Sequence, residues 1–464
     1  MNKSIENIYN SLPVSLQNIG ISIYGYFWKK HRLEGDFLSE IRATRERELY
    51  TYEQWKNYQT VILRKLLIHA FDFVPFYNER YRSLGIERDF LANITLDQLK
   101  LLPYTTKDDF RRYGDTTMLS TKLAKGYFEH SSGSTGTPVH IYMPDYVAQR
   151  LSAYMETRVR NWAGIDYKMP RGMVGGRRVV PEARMTPPFY RYNIFEKQTY
   201  FSAYHISEKT IEDYVEGMFR HKIEWMTGYA MSNYFIADFI RKSKLRAPQL
   251  KAVITSSEKL TSEMRQVISE VFQCKVFDSY SGCEGCGLIS ESPAGELLVN
   301  PDVGIMEFID ESGNFVSNGE IGEIVSTGLL NFDQPLIRYR IGDLAKLAAD
   351  QHLQTAHQML KIDEIIGRVE DVVVGIDGRK MVRFHGLFIG VDGLIQSQLI
   401  QHTYTDFVLK LIVDRNLYRP LIEENKIKKR LKSQVGEVKV DFEYVDTLPV
   451  NGNGKVKSVI SLVR

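Results

Sequence analysis

The stretch "LKAVITSSEKLTSEMRQVISEVFQCKVFDSYSG", residues 250–282, predicts the fold class of the chain. An apolar, β-branched run ends in a polar loop, a helix begins after Thr261, and a second apolar run again ends in a polar loop. The stretch "KIEWMTGYAMSNYFIADFIRKSK", residues 222–244, has the same order of strand, turn and helix. Strands that alternate with helices predict an α/β body in which the strands pair in parallel.

The segments on either side of this body have different patterns. Residues 1–100 are predicted to be helical, because stretches such as "YTYEQWKNYQTVILRKLLIHAFDFV" place apolar residues at three- and four-residue steps. From about residue 296, short strands separated by "ESGN" and "NGE" predict antiparallel β structure, and the last hundred residues predict a small α+β unit. We therefore expect an N-terminal helical segment at 1–100 packed on the large domain, a core at 101–367 and a small C-terminal domain at 368–464.

Composition and charge exclude several classes of protein. The 464 residues include 60 basic and 57 acidic side chains, a net charge of +3, so nothing in the charge indicates a nucleic-acid partner. Three cysteines argue against a disulfide framework and favour a reducing compartment, the cytoplasm. No apolar run is long enough to predict a transmembrane helix, and the N-terminus lacks a signal-peptide pattern.

One apolar segment, "SLPVSLQNIGISIYGYFWKKHR" at 11–32, allows two interpretations. It is either a helix that lies on a membrane surface, at the inner face of the membrane, or a helix packed on the protein body. Gln17, Asn18 and the serines interrupt its apolar face, which favours packing.

The loop "EHSSGSTGTPVHIY", residues 129–142, combines glycines with hydroxyl side chains. Its six central residues are Ser132, Gly133, Ser134, Thr135, Gly136 and Thr137. Glycines let successive N–H groups point at one place, and hydroxyl groups add donors, so the loop suits a phosphate group. No lysine follows Gly136, so this is not a Walker phosphate loop, and a plain surface turn is the alternative.

Three further stretches carry candidate site residues. In "DSYSGCEGCG", Tyr280 could stack on a planar base and Glu284 could bind magnesium, or the stretch is a turn with a solvated glutamate. In "LIRYRIGDLAKL", Asp343 is either a turn cap or a hydrogen-bond acceptor for a ligand. In "LPVNGNGKVKSV", Lys455 is either catalytic or an exposed lysine without a role.

Together these stretches resemble the motifs of the adenylate-forming superfamily, which includes acyl-CoA synthetases, aryl-acid ligases and peptide-synthetase adenylation domains. The matching motifs, in order, are "SSGSTGTP", "YSGCEG", "RYRIGD", "GRVED" and "LPVNGNGK". The segment "GEIVSTGLLNFDQPLIRYRIGD" resembles the phenylacetate–CoA ligase branch. The stretches "HAFDFVPFYNERY" and "LPYTTKDDFRRYG" resemble the members of that branch found in capsular-polysaccharide gene clusters.

The resemblance implies both an architecture and a reaction. It implies a large adenylate-forming domain of parallel-sheet subdomains with a small β subdomain, followed by a small mobile α+β domain. It implies that ATP and Mg²⁺ convert a small-molecule carboxylic acid into an acyl-adenylate, and that the acyl group passes to an amine or to a thiol such as CoA. The acceptor stays open: an amino sugar or amino acid in surface-polysaccharide assembly, or CoA in a phenylacetate-type ligase. A non-catalytic nucleotide-binding scaffold is the third alternative.

The resemblance also implies roles for individual residues. Residues 132–137 would hold the triphosphate, Glu284 would bind magnesium, and Lys455 would bridge the substrate carboxylate and the α-phosphate. Near the nucleoside, Ser256, Ser257 and Glu258 would line the adenine. Tyr280 would pack near the adenine, and Ser281 takes the place of the motif's glycine. Asp343 would contact the ribose, and Arg368 would contact the ribose or phosphate.

The remaining roles concern the acyl pocket and the hinge. Gly228 and Tyr229 would line the acyl pocket, and Glu370 would mark the hinge between the domains. The sequence departs from the family pattern at His140, where a lysine is usual, at Cys283, where a threonine is usual, and at Glu370, where an aspartate is frequent.

Two further features of the sequence each have more than one interpretation. Cys283 and Cys286 form a Cys-x-x-Cys pair that is structural, zinc-binding together with Cys274, His352 or His357, or redox-active. The basic, glycine-rich stretch at 171–185 is either a mobile loop near an anionic substrate or a solvated surface loop.

Overall fold

The computed structural model describes most of the chain. The described residues are 8–130, 140–177, 179–181, 184, 186–203, 205–351, 357–368, 372–374, 380–382, 387–388, 391–449 and 459–463. The predicted phosphate loop at 132–137, the predicted hinge residue Glu370 and the predicted catalytic Lys455 lie outside the described residues.

Helices dominate the N-terminal segment and also flank the sheets. They are α1 Val14–Leu33, α2 Phe37–Arg47, α3 Tyr52–Phe73, α4 Pro75–Ser83, α5 Arg88–Asn93, α6 Lys107–Tyr113, α7 Asp145–Tyr154, α8 Ile211–Arg220, α9 Ala230–Lys242, α10 Ser262–Phe272 and α11 Pro420–Val435. The start of α3 is fixed by a capping box, since Thr51 accepts from the Gln54 N–H and Gln54 accepts from the Thr51 N–H. The predicted start of α10 is confirmed, because the Thr261 side chain accepts from the Met264 N–H.

Twenty strands form the sheets in the described part of the chain. They are β1 Gly126–His130, β2 His140–Pro144, β3 Arg171–Gly175, β4 Tyr190–Asn193, β5 Gln198–Ser202, β6 Trp225–Tyr229, β7 Ala252–Ser256, β8 Lys275–Ser281, β9 Leu288–Glu291, β10 Leu297–Val299, β11 Gly304–Ile309, β12 Ile321–Gly328, β13 Tyr339–Leu347, β14 Lys361–Arg368, β15 Val372–Val374, β16 Lys380–Val382, β17 Leu394–Gln401, β18 Asp406–Val413, β19 Lys439–Tyr444 and β20 Val459–Ser461.

One large sheet runs through most of the chain. Its strand order is β11-β12-β13-β14-β10-β9-β8-β7-β6-β3-β5-β4. The neighbours from β8 through β7, β6 and β3 to β5 pair in parallel, as the alternation of strands and helices predicts. The strands from β8 through β9, β10 and β14 to β11 pair antiparallel, as the turn-rich pattern after residue 296 predicts. The predicted α/β fold class is therefore confirmed.

The C-terminal region has a sheet of its own. Strands β19, β18, β17 and β20 lie side by side in that order. Helix α11 packs on this sheet through Ile427 and Leu431, which share a buried core with Leu409 and Leu411 of β18. This is the α+β unit that the sequence predicts.

A buried ion-pair network attaches the N-terminal helices to the large sheet. Asp302 is fully buried and accepts hydrogen bonds from Arg47 of α2 at 2.9 Å and from Arg158 at 3.0 Å. Burial alone would raise the pKa of Asp302, but its attraction to Arg158 and Arg47 outweighs burial and lowers the pKa below its ordinary value. The carboxylate therefore stays ionised and holds both arginines.

Candidate active site

The carboxyl ends of the parallel strands bring the predicted site residues to one edge of the sheet. In the register of β6, β7 and β8, Tyr229 lies beside Ser256, and Ser256 lies beside Ser279. The next residues along the chain are Ser257 and Tyr280, so the predicted pocket and adenine-lining residues are neighbours. Ligands of open α/β sheets bind at such an edge.

Tyr280 and Asp343 form the best-defined polar contact of this edge. The Tyr280 hydroxyl donates to the Asp343 Oδ2 atom at 2.7 Å, and Asp343 is only 8% exposed. Removal from water, and then the charge of Asp343, raises the pKa of Tyr280 well above its ordinary value, so the phenol keeps its proton. One carboxylate oxygen of Asp343 is thereby held in place by a neutral donor.

The backbone places Arg368 next to this pair. Asp343 on β13 lies opposite Arg368 on β14 in the antiparallel register. An ion pair between Lys259 and Glu364 links the loop after β7 to the same strand β14. The structure thus brings the predicted ribose-binding residues of two distant motifs to neighbouring positions.

The loop after β7 has a constrained backbone. Ser257 has a φ of 67°, in the left-handed region that non-glycine residues rarely adopt. Glu258 accepts a hydrogen bond from the Met231 N–H at 2.9 Å, at the start of α9, where no side chain of the helix itself caps the N-terminus. The carboxylate therefore caps the neighbouring helix, and this contact fixes the predicted adenine-lining segment against the predicted acyl-pocket segment.

Glu284 lies in a tight turn directly after β8. A Cβ atom added at Gly282 would lie 2.2 Å from the Glu284 Oε2 atom, so the carboxylate folds back over a position that has no side chain. The Cys283 thiol donates to the same oxygen at 3.6 Å. The turn thus presents a carboxylate beside the end of β8, as the magnesium prediction requires.

Glu129 is a further acidic residue of the site, which the sequence reasoning did not single out. It lies on β1, and the Tyr127 hydroxyl donates to it at 2.8 Å. Burial raises the pKa of the Cys283 thiol, and the carboxylates of Glu284 and Glu129 raise it further, which places both acids near this sulfur. An acidic residue shortly before the predicted phosphate loop was the available signal in the sequence.

The residues predicted to line the acyl pocket, Gly228 and Tyr229, lie at the end of β6. Gly228 has a φ of 132°, and a Cβ atom there would lie 1.8 Å from the Val174 carbonyl oxygen. The Tyr229 hydroxyl lies against the backbone of Gly176, where an added Cβ atom would be 2.5 Å away. Tyr229 therefore reaches across the sheet edge from β6 to β3 and forms a wall between the two strand ends.

The expectation of a single loop at 171–185 needs correction. Residues 171–175 form β3, which pairs in parallel with β6 and β5 on its two sides, and Arg171 is buried in an ion pair with Glu196 at 2.9 Å. Val179 and Val180 are also buried. The stretch is neither one loop nor solvated along its length, because its first basic residue belongs to the sheet interior.

The three cysteines do not form one cluster. Cys274 precedes β8 and Cys283 follows it, so a strand of seven residues separates them and they lie about 23 Å apart along the strand. Burial raises the pKa of the Cys286 thiol, and the charge of Glu284 raises it further. Among the described residues, no group of three or more histidine, cysteine or acidic side chains is arranged to hold a metal ion. Burial and the Glu284 carboxylate favour the protonated thiols, which is typical of structural cysteines.

The fold is that of the adenylate-forming ligases. The chain superimposes on the crystal structure of 2-hydroxyisobutyryl-CoA ligase in the postadenylation state, in complex with R3-HIB-AMP, with a TM-score of 0.66 and 16% identity over 90% of this chain and 91% of that one. Among the relatives, it is 25% identical to phenylacetate-coenzyme A ligase of Pseudomonas putida over 70% of this chain and 73% of that protein. These likenesses confirm the predicted resemblance to AMP-forming ligases of phenylacetate–CoA ligase type.

A more particular likeness spans the whole chain. The chain is 28% identical to Protein CapK of Staphylococcus aureus over 98% of this chain and 99% of that protein. Residues 375–462 match the family model of the CapK C-terminal domain. The predicted resemblance to members of the capsule type is confirmed.

Proposed function

We propose that the protein uses ATP to activate a small carboxylic acid as an acyl-adenylate and then transfers the acyl group to an amine or thiol acceptor. The observation that carries the proposal is the hydrogen-bonded pair of Tyr280 and Asp343 at the carboxyl edge of the parallel strands, beside Ser256 and Ser257. A fixed acidic acceptor next to a planar ring and a polar backbone segment suits a nucleoside.

In this proposal the site residues have the following tasks. Asp343 accepts hydrogen bonds from the ribose hydroxyls, and Tyr280 orients Asp343 and packs near the adenine. Ser256, Ser257 and Glu258 line the adenine with their backbone, with Ser281 at the end of β8 beside them. Gly228 and Tyr229 bound the acyl group. Residues 132–137 hold the triphosphate, Arg368 reaches the ribose or phosphate, and Lys455 bridges the carboxylate and the α-phosphate.

Mg²⁺ is the metal that this chemistry implies. Glu284 and Glu129 offer carboxylate oxygens, which Mg²⁺ prefers as ligands. Because residue 282 is a glycine, no Cβ atom covers the Glu284 carboxylate. Mg²⁺ commonly uses one or two carboxylates together with substrate phosphates, so these residues fit the ion. When bound, the ion would neutralise phosphate charge.

The chemistry proceeds in two displacements. A carboxylate oxygen of the acid attacks the α-phosphorus of ATP, the bond to the β-phosphate oxygen breaks, and pyrophosphate leaves with the electron pair. The acceptor then attacks the acyl carbon, AMP leaves, and the acceptor loses its proton. The proposed domains are a helical segment at 1–100, a core at 101–367 and a C-terminal domain at 368–464, which rotates about Glu370 between the two steps.

Two acceptor classes have support. We infer an amine acceptor, an amino sugar or amino acid, in capsular or surface polysaccharide biosynthesis from the motif resemblance to the capsular-polysaccharide members of the branch, beside the full-length likeness to Protein CapK. The likeness to phenylacetate-coenzyme A ligase supports CoA as the alternative acceptor. We propose that the enzyme acts in the cytoplasm, at the inner face of the membrane.

The experiment that tests the function is pyrophosphate release by the purified full chain with Mg·ATP and a panel of carboxylic acids. Each acid is assayed with CoA, with a panel of amines and without acceptor, and Asp343→Asn serves as the site-deficient control. Turnover that rises with an amine supports the polysaccharide ligase, and turnover that rises with CoA supports the CoA ligase. Nucleotide binding without pyrophosphate release from any acid would support the non-catalytic scaffold and contradict the proposal.

A further inference from the structure

Helix α1 has an unusual orientation: its polar and small residues face the protein, and its apolar residues face outward. Gln17 and Gly25 are buried, whereas Ile19, Ile23 and Phe27 are 54%, 53% and 64% exposed. A surface helix of a globular protein normally has the reverse arrangement. The helix thus packs on the protein body, as one of the two sequence-based alternatives expects, while its apolar residues stay exposed.

The polar face of α1 is inward because it covers an edge of the large sheet. Strand β4 is the last strand on that side, and the Asn18 side chain accepts from the Tyr192 N–H at 3.0 Å. The Ser22 hydroxyl accepts from the Ile194 N–H at 3.2 Å. These side chains occupy backbone groups that an edge strand would otherwise leave unpaired.

Close packing prevents α1 from rotating its apolar face inward. A Cβ atom added at Gly25 would lie 1.9 Å from the Asn193 Nδ2 atom, so the helix backbone touches the end of β4. Gln17 accepts a further hydrogen bond from the buried Arg191 at 2.5 Å. The polar contacts of the inner face thus fix the outward direction of the apolar residues.

The exposed apolar residues form a continuous surface with the turn between β4 and β5. The rings of Tyr26 and Phe195 are 5.2 Å apart, and Ile194 and Phe195 are themselves exposed. We call this the outward apolar face, and it consists of Leu16, Ile19, Ile23, Tyr26, Phe27, Ile194 and Phe195. Exposed apolar patches of this kind mark interaction sites.

Charge identifies the partner of this face. Helix α1 contains no acidic residue and ends with Lys29, Lys30, His31 and Arg32. In the turn between β4 and β5, the acidic residue Glu196 is buried and forms an ion pair with Arg32 at 2.5 Å. Lys197 in the same turn is exposed. The surface therefore presents apolar side chains bordered by cations, which is the pattern of helices that lie on anionic membranes.

We propose that the outward apolar face binds the surface of an anionic lipid bilayer. Its apolar side chains enter the interface, while Lys30 and Lys197 lie at the level of the lipid phosphates. In the described part of the chain no helix is long and apolar enough to cross a membrane. We expect α1 to lie along the bilayer surface, because its exposed apolar residues share one face. A second copy of the chain is disfavoured, because it would bring a second set of the same cations to this surface.

The same helix also contacts the strand that leads to the predicted phosphate loop. The ring of His31 lies 4.9 Å from the ring of Tyr127, the residue that donates to Glu129. Arg177, two residues after β3, lies over the ring of Trp28 at 5.9 Å. A bilayer bound to α1 would thus lie near the edge of the sheet that carries the site.

The test is sedimentation of the full-length protein with vesicles of phosphatidylcholine and phosphatidylglycerol, compared with vesicles of phosphatidylcholine alone. We expect binding to the anionic vesicles that weakens with salt. The double variant Ile23→Glu with Phe27→Glu should lower the partition coefficient at least tenfold, about the effect of removing two apolar side chains from the interface. Lys30→Ala should lower it about fivefold on the anionic vesicles only.

The matched control is Ile395→Glu with Leu421→Glu, two exposed apolar residues of the C-terminal region, and it should bind as the unmodified protein does. Circular dichroism and pyrophosphate release without vesicles show that each variant is folded.

Absence of vesicle binding by the unmodified protein, or unchanged binding by the double variant at residues 23 and 27, would overturn the proposal. A dimer in light scattering that this variant converts to monomer, without vesicle binding, would assign the face to a second copy and also overturn it. Vesicle binding is measured without substrate, so its outcome is independent of the proposed catalytic function.

Discussion

The Tyr280 hydroxyl donates a hydrogen bond of 2.7 Å to Asp343, which lies 63 residues further along the chain. The two residues come from different motifs and different strands, and the contact fixes the carboxylate at the edge where we propose that the nucleoside binds. Hydrogen bonds to a charged acceptor are stronger than those between neutral groups, so this contact orients Asp343 firmly.

Tyr280→Phe should weaken ATP binding and leave the fold intact. Loss of a hydrogen bond to a charged group costs about 1.5–3 kcal/mol, so we expect KM for ATP in pyrophosphate release to rise about ten- to hundredfold. The control is Tyr214→Phe, which removes the buried hydrogen bond of Tyr214 to the Ser202 carbonyl away from the site. Equal KM values for both variants would contradict the role of Tyr280.

Glu284→Gln and Glu129→Gln should raise the Mg²⁺ concentration needed for half-maximal pyrophosphate release. Glu284→Gln should also lower kcat about a hundredfold or more, because a neutral amide binds a divalent cation poorly and charge stabilisation is lost. Glu270→Gln, on the exposed face of α10, is the control and should leave the Mg²⁺ dependence unchanged. If Glu129→Gln had the same Mg²⁺ dependence as the control, Glu129 would not be part of the metal site.

Gly228→Ala should destabilise the protein by about 3 kcal/mol or more in urea unfolding, because the backbone is left-handed and the methyl group would collide with the Val174 carbonyl oxygen. Gly20→Ala is the matched control. Gly20 lies within α1 with no atom within 4 Å of an added Cβ atom. That substitution should stabilise the helix by about 0.5–1 kcal/mol. Similar stabilities for both variants would refute the packing argument.

Asp278→Asn should remove part of the pH dependence of stability. Shielding from water raises the pKa of Asp278 to about 6 despite a hydrogen bond from Thr255. Because the folded pKa exceeds the unfolded pKa of about 4, this residue's contribution is fully present below pH 4 and is lost as the pH rises through 6. Relative to the variant, the free energy of unfolding of the unmodified protein should fall by about 2–3 kcal/mol between pH 4 and pH 7. Parallel pH profiles would show that the Asp278 pKa is unshifted.

Lys455→Ala should abolish pyrophosphate release and leave folding unchanged, because the ammonium group would no longer stabilise the charge that builds on the α-phosphate. Lys439→Ala is the control, since Lys439 is an exposed lysine of β19 in the same C-terminal region. Normal pyrophosphate release by Lys455→Ala would reject its assignment as the catalytic lysine.

Glu370→Pro should spare pyrophosphate release and impair acyl transfer, because proline fixes φ at the proposed hinge. Equal loss of both steps would count against a hinge at this position.

The sequence by itself determined the local elements and their order. The alternation of strand and helix around Thr261, the turn-rich antiparallel segment and the motifs at Tyr280 and Asp343 are readable because period, caps and turn residues act within a few residues along the chain. The class of ligase followed from the order of these motifs.

Only the tertiary structure decided which distant groups meet. The bond between Tyr280 and Asp343, the position of Glu129 beside Cys283 and the burial of Arg171 depend on strand order and register, which no local pattern encodes. The direction of α1 is the sharpest case. Its apolar period predicts a helix, but the unpaired backbone groups of β4 attract its polar face and leave its apolar face outward, because hydrogen bonding at a sheet edge outweighs burial of that face.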